Sequence, residues 1–212
     1  MSPRRLYEEE LKQLQESVEE MGMGVRATYA RLFSALQQQK ESVIEEIIAS
    51  DQSTHTLQRR IEGSCLNLIT KQQPIARDLR QISASLKVVT DISRIGDQCG
   101  DIAELVKRMH FKDLQEFSAH IPQMIEETGK QLTEAINAFV DRNAESAQHV
   151  VAGDDTVDDL FNQVKNDVIA HLRSEAKDPD DCIDVMMFAK YLEKIGDHAV
   201  NIASWAIFQE TG

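Results

Sequence analysis

Two segments of this chain place oxygen-bearing side chains one helical turn apart. The first contains Asp97 and Asp101, and the second contains Glu193, Asp197 and Asn201. Residues four apart lie on one face of an α-helix, so each set forms a polar ridge. Neighbouring carboxylates repel one another, and a cation between them would remove that repulsion. Their oxygens are hard ligands that suit Mg, Ca, Mn or iron.

A solvated acidic face is the competing interpretation of these ridges. One ridge alone favours it, whereas two similar ridges in one chain leave it and a metal site as open alternatives. His198 adds a possible nitrogen ligand beside the second ridge. A ferritin-like di-iron bundle requires Glu-x-x-His on two helices. No histidine here has a glutamate three residues before it, which argues against that class.

Catalysis by a nucleophile finds little support in the sequence. The chain contains no Gly-x-Ser-x-Gly and no glycine-rich phosphate loop. Its three cysteines form no Cys-x-x-Cys pair, so a zinc finger is excluded and small core residues in a reducing compartment are expected. We therefore expect a protein that is not an enzyme.

Charge and hydropathy narrow the possible partners. The net charge of −13 argues against direct binding of nucleic acid and suits divalent cations or a basic protein surface. The longest apolar run is Val185 to Ala189, five residues, whereas a membrane-spanning helix needs about 20. No signal peptide is evident at the N-terminus. A cytoplasmic protein without direct membrane insertion is expected.

Apolar residues recur at helical spacing along the chain, which predicts an all-α protein. The first half is predicted to hold helices at 11–36, from about 40, at 57–69 and from Pro74 to about Met109. Ser50 or Asp51 is predicted to break the second of these from the third with an N-cap. The second half is predicted to hold helices at 121–139, 144–152, 155–173 and 180–208.

The two halves repeat the same order of elements. The segment from Asp51 to Leu57 lies 103 residues before a similar segment from Asp154 to Leu160. Likewise Arg94-Ile-Gly-Asp97 lies 100 residues before Lys194-Ile-Gly-Asp197. Duplication is therefore predicted, with domains at 1–110 and 111–212. Each half gives a three-helix bundle if its short second helix is merely a break in a long first arm.

Glycine occurs inside a predicted helix at Gly96 and again at Gly196. Glycine costs about 1 kcal/mol against alanine in a helix, so its presence needs a packing reason. We expect another backbone to approach closely at both positions, where the two halves could pack against each other.

These motifs together resemble the PhoU family, and the resemblance covers essentially the whole chain. It rests on Gln-Pro-Ile-Ala-Arg-Asp-Leu-Arg at 73–80, Asp-Ile-Ser-Arg-Ile-Gly-Asp at 91–97 and Tyr-Leu-Glu-Lys-Ile-Gly-Asp-His-Ala-Val-Asn-Ile-Ala at 191–203. The resemblance implies two three-helix bundles of antiparallel long helices, related by a pseudo-twofold axis.

The resemblance also implies a function. PhoU proteins are negative regulators of the phosphate regulon, acting between the ATPase subunit of a phosphate-specific ABC transporter and a membrane sensor histidine kinase. Some bind iron or zinc clusters through a Glu/Asp-x-x-x-Asp motif. A homodimer is expected here. The alternatives are a metal-binding or metal-buffering protein without a phosphate role and a purely structural helical scaffold.

Carried over by position, the motif falls on Glu193 and Asp197, with Asn201 as its extension, and on Asp97 and Asp101 in the first repeat. Ser93 stands where the family usually has an acid, and Lys194 replaces the more usual arginine. The family's acidic positions in the preceding helices fall on Asp51, Asp154 and Asp158, whereas His55 replaces an acid in the first repeat.

Overall fold

The computed structural model describes residues 3–72, 74–107, 109, 111–174 and 177–212. Every regular element in these ranges is a helix. The elements are α1 (Pro3–Gln37), α2 (Glu41–Gln72), α3 (Ala76–Val106), α4 (Phe111–Phe117), α5 (Ile121–Val140), α6 (Ala144–Ala152), α7 (Asp154–Ser174) and α8 (Pro179–Thr211). None of the helices in the described ranges is long and apolar enough to span a bilayer.

The duplication is visible in the backbone. Gln39 and Arg142, 103 residues apart, both adopt positive φ values, of 55° and 54°. Each follows the first helix of its half. The next amide closes the same turn in both halves, with Lys40 N bonded to Ala35 O and Asn143 N to Ala138 O, each at 2.9 Å. The all-α fold of two repeated three-helix bundles is thereby confirmed.

The predicted break at Ser50 or Asp51 is wrong, because α2 runs through both positions without interruption. Its buried face continues from Ile47 before them to Ile61 and beyond, and packing along that face outweighs a local capping preference. The second half does break, because Gly153 caps α6 and α7 begins one residue later. The segment that was predicted as a short second helix therefore belongs to the second arm of each bundle, not to the first.

Two smaller differences concern the connections. Pro74 precedes α3, which starts at Ala76 with Ile75 as its N-cap, whereas Pro179 does open α8. The connecting helix α4 was not predicted, because a segment of seven residues is too short to show an amphipathic period.

The halves meet along equivalent helices. The last helices of the two bundles, α3 and α8, pack against each other, and the first helices, α1 and α5, do the same. Tyr29 of α1 donates a hydrogen bond to the Ile125 carbonyl of α5 at 2.7 Å. The rings of Phe33 and of Phe188 of α8 make a T-shaped contact, with centroids 6.3 Å apart. The three cysteines are free and buried, as expected.

The expectation that Gly96 and Gly196 face the opposite half is wrong. A Cβ on Gly96 would meet Thr54 and Val25, and one on Gly196 would meet Gln131 and Val157, all side chains of the same half. These glycines bring the last helix of each bundle close to its own two arms. The tight contacts between halves occur instead at Gly22 of α1 and at Gly129 of α5. Cβ atoms there would lie 2.9 Å from Ile136 and 2.8 Å from Tyr29.

We expect Gly129→Ala to lower the free energy of unfolding by about 1–3 kcal/mol, because the added methyl group would overlap the buried and hydrogen-bonded ring of Tyr29. Gly63→Ala is the matched control, since nothing lies within 4 Å of a Cβ there. It should raise the free energy of unfolding by up to about 1 kcal/mol through helix propensity. Urea denaturation compares the two, and equal effects would contradict the assignment of Gly129 to the contact between halves.

Candidate functional site

Three carboxylates of the second half converge between two helices. Asp158 of α7 and Glu193 and Asp197 of α8 each offer an oxygen, and these atoms all lie within 4.8 Å of one another. The approach of the helices explains the convergence. Val157, next to Asp158, lies only 3.3 Å from where a Cβ of Gly196 would stand, so Gly196 lets α7 reach the ridge of α8.

Burial and the neighbouring negative charges raise the pKa values of two carboxylates of α7, Asp158 and Asp154. The pKa of Asp158 is raised by burial and by the charges of Glu193, Asp154 and Asp197, with Lys190 opposing the rise. The pKa of Asp154 is raised by burial and then by Asp197, its neighbour Asp155 and Glu193. Such shifts are expected where like charges are held together.

Two lysines partly neutralise this group. Lys190 Nζ lies 2.5 Å from Glu193 Oε1, and Lys194 Nζ lies 2.6 Å from Asp197 Oδ2. The hydrogen bond to Asp197 is the main cause that raises the pKa of Lys194. Both lysine side chains are about two-fifths exposed, at 41% and 42%, so they can turn toward solvent. Among the described residues, the group therefore has more carboxylates than the two ammonium groups beside it: Asp154, Asp158, Glu193 and Asp197.

Two oxygen atoms on or beside α8 accept no hydrogen bond from the described residues. One is Glu193 Oε2, on a side chain that is 14% exposed. The ammonium of Lys194 lies 3.4 Å away as an ion pair without hydrogen-bond geometry. The other is Oε1 of the buried Gln131 of α5, which lies 3.1 Å from the Cβ position of Gly196, between Glu193 and Asp197 in sequence. Buried acceptors normally have a donor or a cation as partner.

These residues fit a divalent cation with a preference for oxygen ligands. Asp158, Glu193 and Asp197 would supply the carboxylates. A cation held there would neutralise the group and join α7 to α8. Asp158 was matched to the family's acidic positions but was not among the predicted ligands. The signal for Asp158 was its i, i+4 spacing from Asp154.

Asn201 and His198 contact the first half of the chain. His198 Nδ1 is 2.9 Å from Asp91 Oδ1, and Asn201 Nδ2 donates to the same oxygen at 3.3 Å. Asp91 belongs to α3, so both side chains join the two halves. The assignment of Asn201 as a ligand stays a prediction, because no contact brings it to Glu193 or Asp197.

The first half has a different arrangement at the equivalent positions. His55 Nε2 lies 3.0 Å from Asp97 Oδ1, and His55 Nδ1 lies 3.1 Å from Ser93 Oγ. Arg94 Nη1 is 3.5 Å from the other Asp97 oxygen. Asp101 is exposed one turn further along α3. The side chain of Asp51, the counterpart of Asp154, lies outside the described residues.

Serine, histidine and aspartate in contact are also the components of a hydrolase triad. A triad needs a hydroxyl that a substrate can reach. Ser93 is only 2% exposed, so a substrate could not reach its hydroxyl. This arrangement therefore acts as a packing contact between α2 and α3.

We expect Asp158→Asn to stabilise the cation-free protein at pH 7. The pKa of Asp158 is higher in the folded state than in the unfolded state. Its favourable contribution is therefore complete below the ordinary value of 3.8 and is lost as the pH rises through the raised value. Removing the charge should raise the free energy of unfolding at pH 7 by a few tenths of a kcal/mol, approximately the cost of an exposed like-charge pair.

Urea denaturation between pH 4 and pH 7 measures this effect in the presence of a chelator. The advantage of Asp158→Asn should grow with pH. Asp159→Asn is the control, because this exposed neighbour lies on the same turn of α7 but outside the converging group. Destabilisation by Asp158→Asn at pH 7 would show that its carboxylate is held by favourable contacts.

Comparison with known proteins identifies the family. The PhoU domain family model matches residues 18–106 and 121–206. A phosphate-specific transport system accessory protein PhoU homolog of Clostridium acetobutylicum is 31% identical, over 99% of this chain and 96% of that protein. PhoU homolog 1 of Methanothermobacter thermautotrophicus, with the same description, is 30% identical over the same shares.

Solved structures agree in fold. The phosphate transport system regulatory protein PhoU from Streptococcus pneumoniae superposes with a TM-score of 0.88 at 23% identity, covering 97% of both chains. PhoU from Pseudomonas aeruginosa superposes with a TM-score of 0.87 at 24% identity, covering 96% of this chain and 98% of that one. With two matched domains and relatives aligned along nearly its whole length, this chain belongs to the PhoU family.

Proposed function

We propose that this protein regulates phosphate uptake as an accessory of a phosphate-specific transport system. The observation that carries the proposal is the alignment with the Clostridium acetobutylicum accessory protein, which spans 99% of this chain and 96% of that relative. Identity of 31% over both chains extends through both repeats. The comparison therefore concerns the complete pair of bundles, not one shared helix.

The finer mechanism that we propose is docking. The protein acts as a cytoplasmic adaptor between the transporter's ATPase subunit and a sensor histidine kinase, and it represses phosphate genes when phosphate is ample. Its net charge of −13 favours association with basic surfaces. Large apolar side chains are exposed near the connections of each bundle, and they suit contact with another protein: Leu66, Ile75 and Leu79 in the first half, and Leu172, Ile183 and Met187 in the second.

Deletion of the gene tests this function. Cells grown in ample phosphate should raise expression of their phosphate-uptake genes when the protein is lost, and the intact gene should restore repression. Unchanged expression and unchanged phosphate uptake would overturn the proposal. Co-purification with the ATPase subunit and with the kinase, tested separately, then identifies the docking partner. Size-exclusion chromatography with light scattering tests the proposed homodimer.

Cation binding is a second candidate function, favoured by the converging carboxylates and by an oxygen of Glu193 that accepts no hydrogen bond from the described residues. The cation would be iron, zinc or another divalent metal. It would either stabilise the docking protein or, in a metal-buffering protein, constitute the activity itself. Glu193→Gln/Asp197→Asn separates these roles in cells. Lost repression would make the cation part of phosphate regulation, whereas normal repression with lost metal binding would favour an independent role.

A further inference from the structure

We infer that a groove between the N-terminal part of α1 and the C-terminal part of α2 is the docking site for a helical segment of a partner protein. That segment carries basic side chains on the flank that faces α1 and acidic side chains on the flank that faces α2. The inference rests on the docking role proposed above and deepens it, because it names the surface that a partner contacts and the chemistry of the contacting segment.

The groove has an acidic wall and a basic wall. Its volume is about 530 Å³, and its apolar lining consists of Leu14 and Leu68, which are both buried. The polar lining residues recur at helical spacing on the two facing helices: Glu10, Gln13, Glu16, Ser17 and Glu20 on α1, and Arg60, Ser64, Asn67 and Lys71 on α2. Because consecutive helices of the bundle are antiparallel, the groove has an acid on one wall and a cation on the other at both of its ends.

The two walls do not neutralise each other. Nearer the turn between the helices, Arg31 of α1 and Glu46 of α2 form an ion pair at 2.8 Å. In the groove, Glu16 pairs instead with Lys12 of its own helix, at 3.3 Å. No ion pair between described residues joins the glutamates of one wall to the cations of the other. The groove therefore holds unlike charges apart, and a segment lying in it can contact both.

Side chains of the second half bridge the equivalent position. The offset of 103 residues, which also aligns most buried residues of the first two arms, matches Ser17 with His120 and Ser64 with Asp167. His120 Nδ1 lies 2.8 Å from Asp167 Oδ2, so this pair joins the start of α5 to α7. Each serine of the first half donates instead to the carbonyl four residues earlier in its own helix, at 2.9 Å and 3.1 Å. The first half therefore lacks this bridge and keeps a groove.

The apolar lining and the charges differ between the halves in the same sense. Leu14 corresponds to Phe117, and Leu68 corresponds to His171. His171 Nε2 lies 3.0 Å from the carbonyl oxygen of Phe117, and the two ring centroids are 5.5 Å apart. The counterparts of the glutamate and the arginine at one end of the groove are uncharged: Gln123 and Gln163. A partner that recognises the charged groove therefore docks on the first half.

The spacing of the wall charges fits a helix. Glu10 and Glu20 are 10 residues apart, and Arg60 and Lys71 are 11 residues apart, which is about 15–17 Å along a helix. A partner helix along the groove presents its own side chains at the same spacing, with Lys or Arg toward α1 and Asp or Glu toward α2. Flanking charges of this kind set partner choice and orientation between helices. Because the leucines of the groove are already buried, the docking depends mainly on charge.

Binding of the purified full chain to the two partners proposed above tests the inference. The full-length sensor kinase and the complete transporter are immobilised separately in detergent, and binding is followed by biolayer interferometry. We expect Glu10→Lys/Glu20→Lys to weaken binding to one of them by more than about tenfold, because like charges then meet in the groove. Glu8→Lys/Glu19→Lys makes the same change of charge at exposed positions of α1 outside the groove, and binding should stay within about twofold.

A second pair of variants tests the comparison between the halves. Ser17→His/Ser64→Asp gives the groove the bridging pair of the second half, and we expect it to weaken binding by more than about tenfold because the bridge excludes the partner helix. Ser17→Ala/Ser64→Ala is the matched control, which leaves the groove open and should bind within about twofold of the wild type. Circular dichroism and gel filtration check that all variants fold.

The outcomes separate the groove from the docking role. If the wild type binds a partner and Glu10→Lys/Glu20→Lys and Ser17→His/Ser64→Asp bind it equally well, the groove is not the docking site, and the docking role stands. A wild type that binds neither partner would overturn docking and the inference together, while gene deletion tests phosphate regulation independently. A homodimer that Glu10→Lys/Glu20→Lys dissociates, as measured by light scattering, would assign the groove to a second copy of this chain and overturn the inference. Loss of partner binding in the two groove variants, with both controls unchanged, would support it.

Discussion

Phe188→Ala is expected to lower the free energy of unfolding by about 3–5 kcal/mol, the usual cost of removing a large buried aromatic ring. Phe188 of α8 has no exposed surface, and its ring makes a T-shaped contact with that of Phe33 of α1. The substitution would leave a cavity where the second bundle packs on the first. Because α8 also packs against α3, α5, α6 and α7, the surrounding helices can close that cavity only in part.

The position of Phe188 predicts one cooperative unfolding transition. Urea denaturation followed by circular dichroism and by fluorescence of Trp205, the single tryptophan, should give coincident curves that shift together. Met187→Ala is the control on the same turn, since Met187 is 40% exposed and should change stability by less than about 0.5 kcal/mol. A loss below about 1.5 kcal/mol for Phe188→Ala, or two separate transitions, would contradict a shared core.

The helical spacing of apolar residues predicted the helices of the second half nearly as the structure has them. The helix α6 has the predicted bounds, and α5, α7 and α8 differ from their predictions by a few residues at most. The failure at Ser50 and Asp51 shows the limit of local signals. A capping residue inside a segment whose apolar face continues on both sides did not end α2, whereas Gly153 caps α6 at the corresponding place in the second half.

The candidate site was predictable only along one helix. Spacing placed Glu193 and Asp197 on a common face of α8, and it indicated that the face was opposite the apolar side. The Glu193 side chain is nevertheless only 14% exposed, because α8 is surrounded by other helices. That α7 supplies Asp158 depends on tertiary contacts. The partner of each helical glycine was likewise set by packing, and the sequence-based assignment of that partner was wrong.

Saturating Mn²⁺ is expected to stabilise the wild-type protein strongly. A ligand that binds only the folded state adds about 2.7 kcal/mol at a concentration one hundred times its dissociation constant. The expected rise follows from the cation replacing mutual repulsion among the carboxylates of α7 and α8 by attraction. Thermal unfolding with and without Mn²⁺ measures it, and NaCl at equal ionic strength controls for screening of surface charge.

The effect of Asp158→Asn on stability should change sign when Mn²⁺ binds, which a solvated acidic face would not produce. Without a cation the variant should be the more stable protein, because the pKa of Asp158 is raised by burial and by neighbouring carboxylates. With Mn²⁺ the order should reverse, because the variant has lost one of three charged ligands while the wild type has kept all of them. If Mn²⁺ and NaCl raise the melting temperatures of both proteins equally, the carboxylates are merely a screened surface. A reversal that occurs with Mn²⁺ but not with NaCl means that the carboxylates bind the cation. Their mutual repulsion in the cation-free protein is then relieved by that binding.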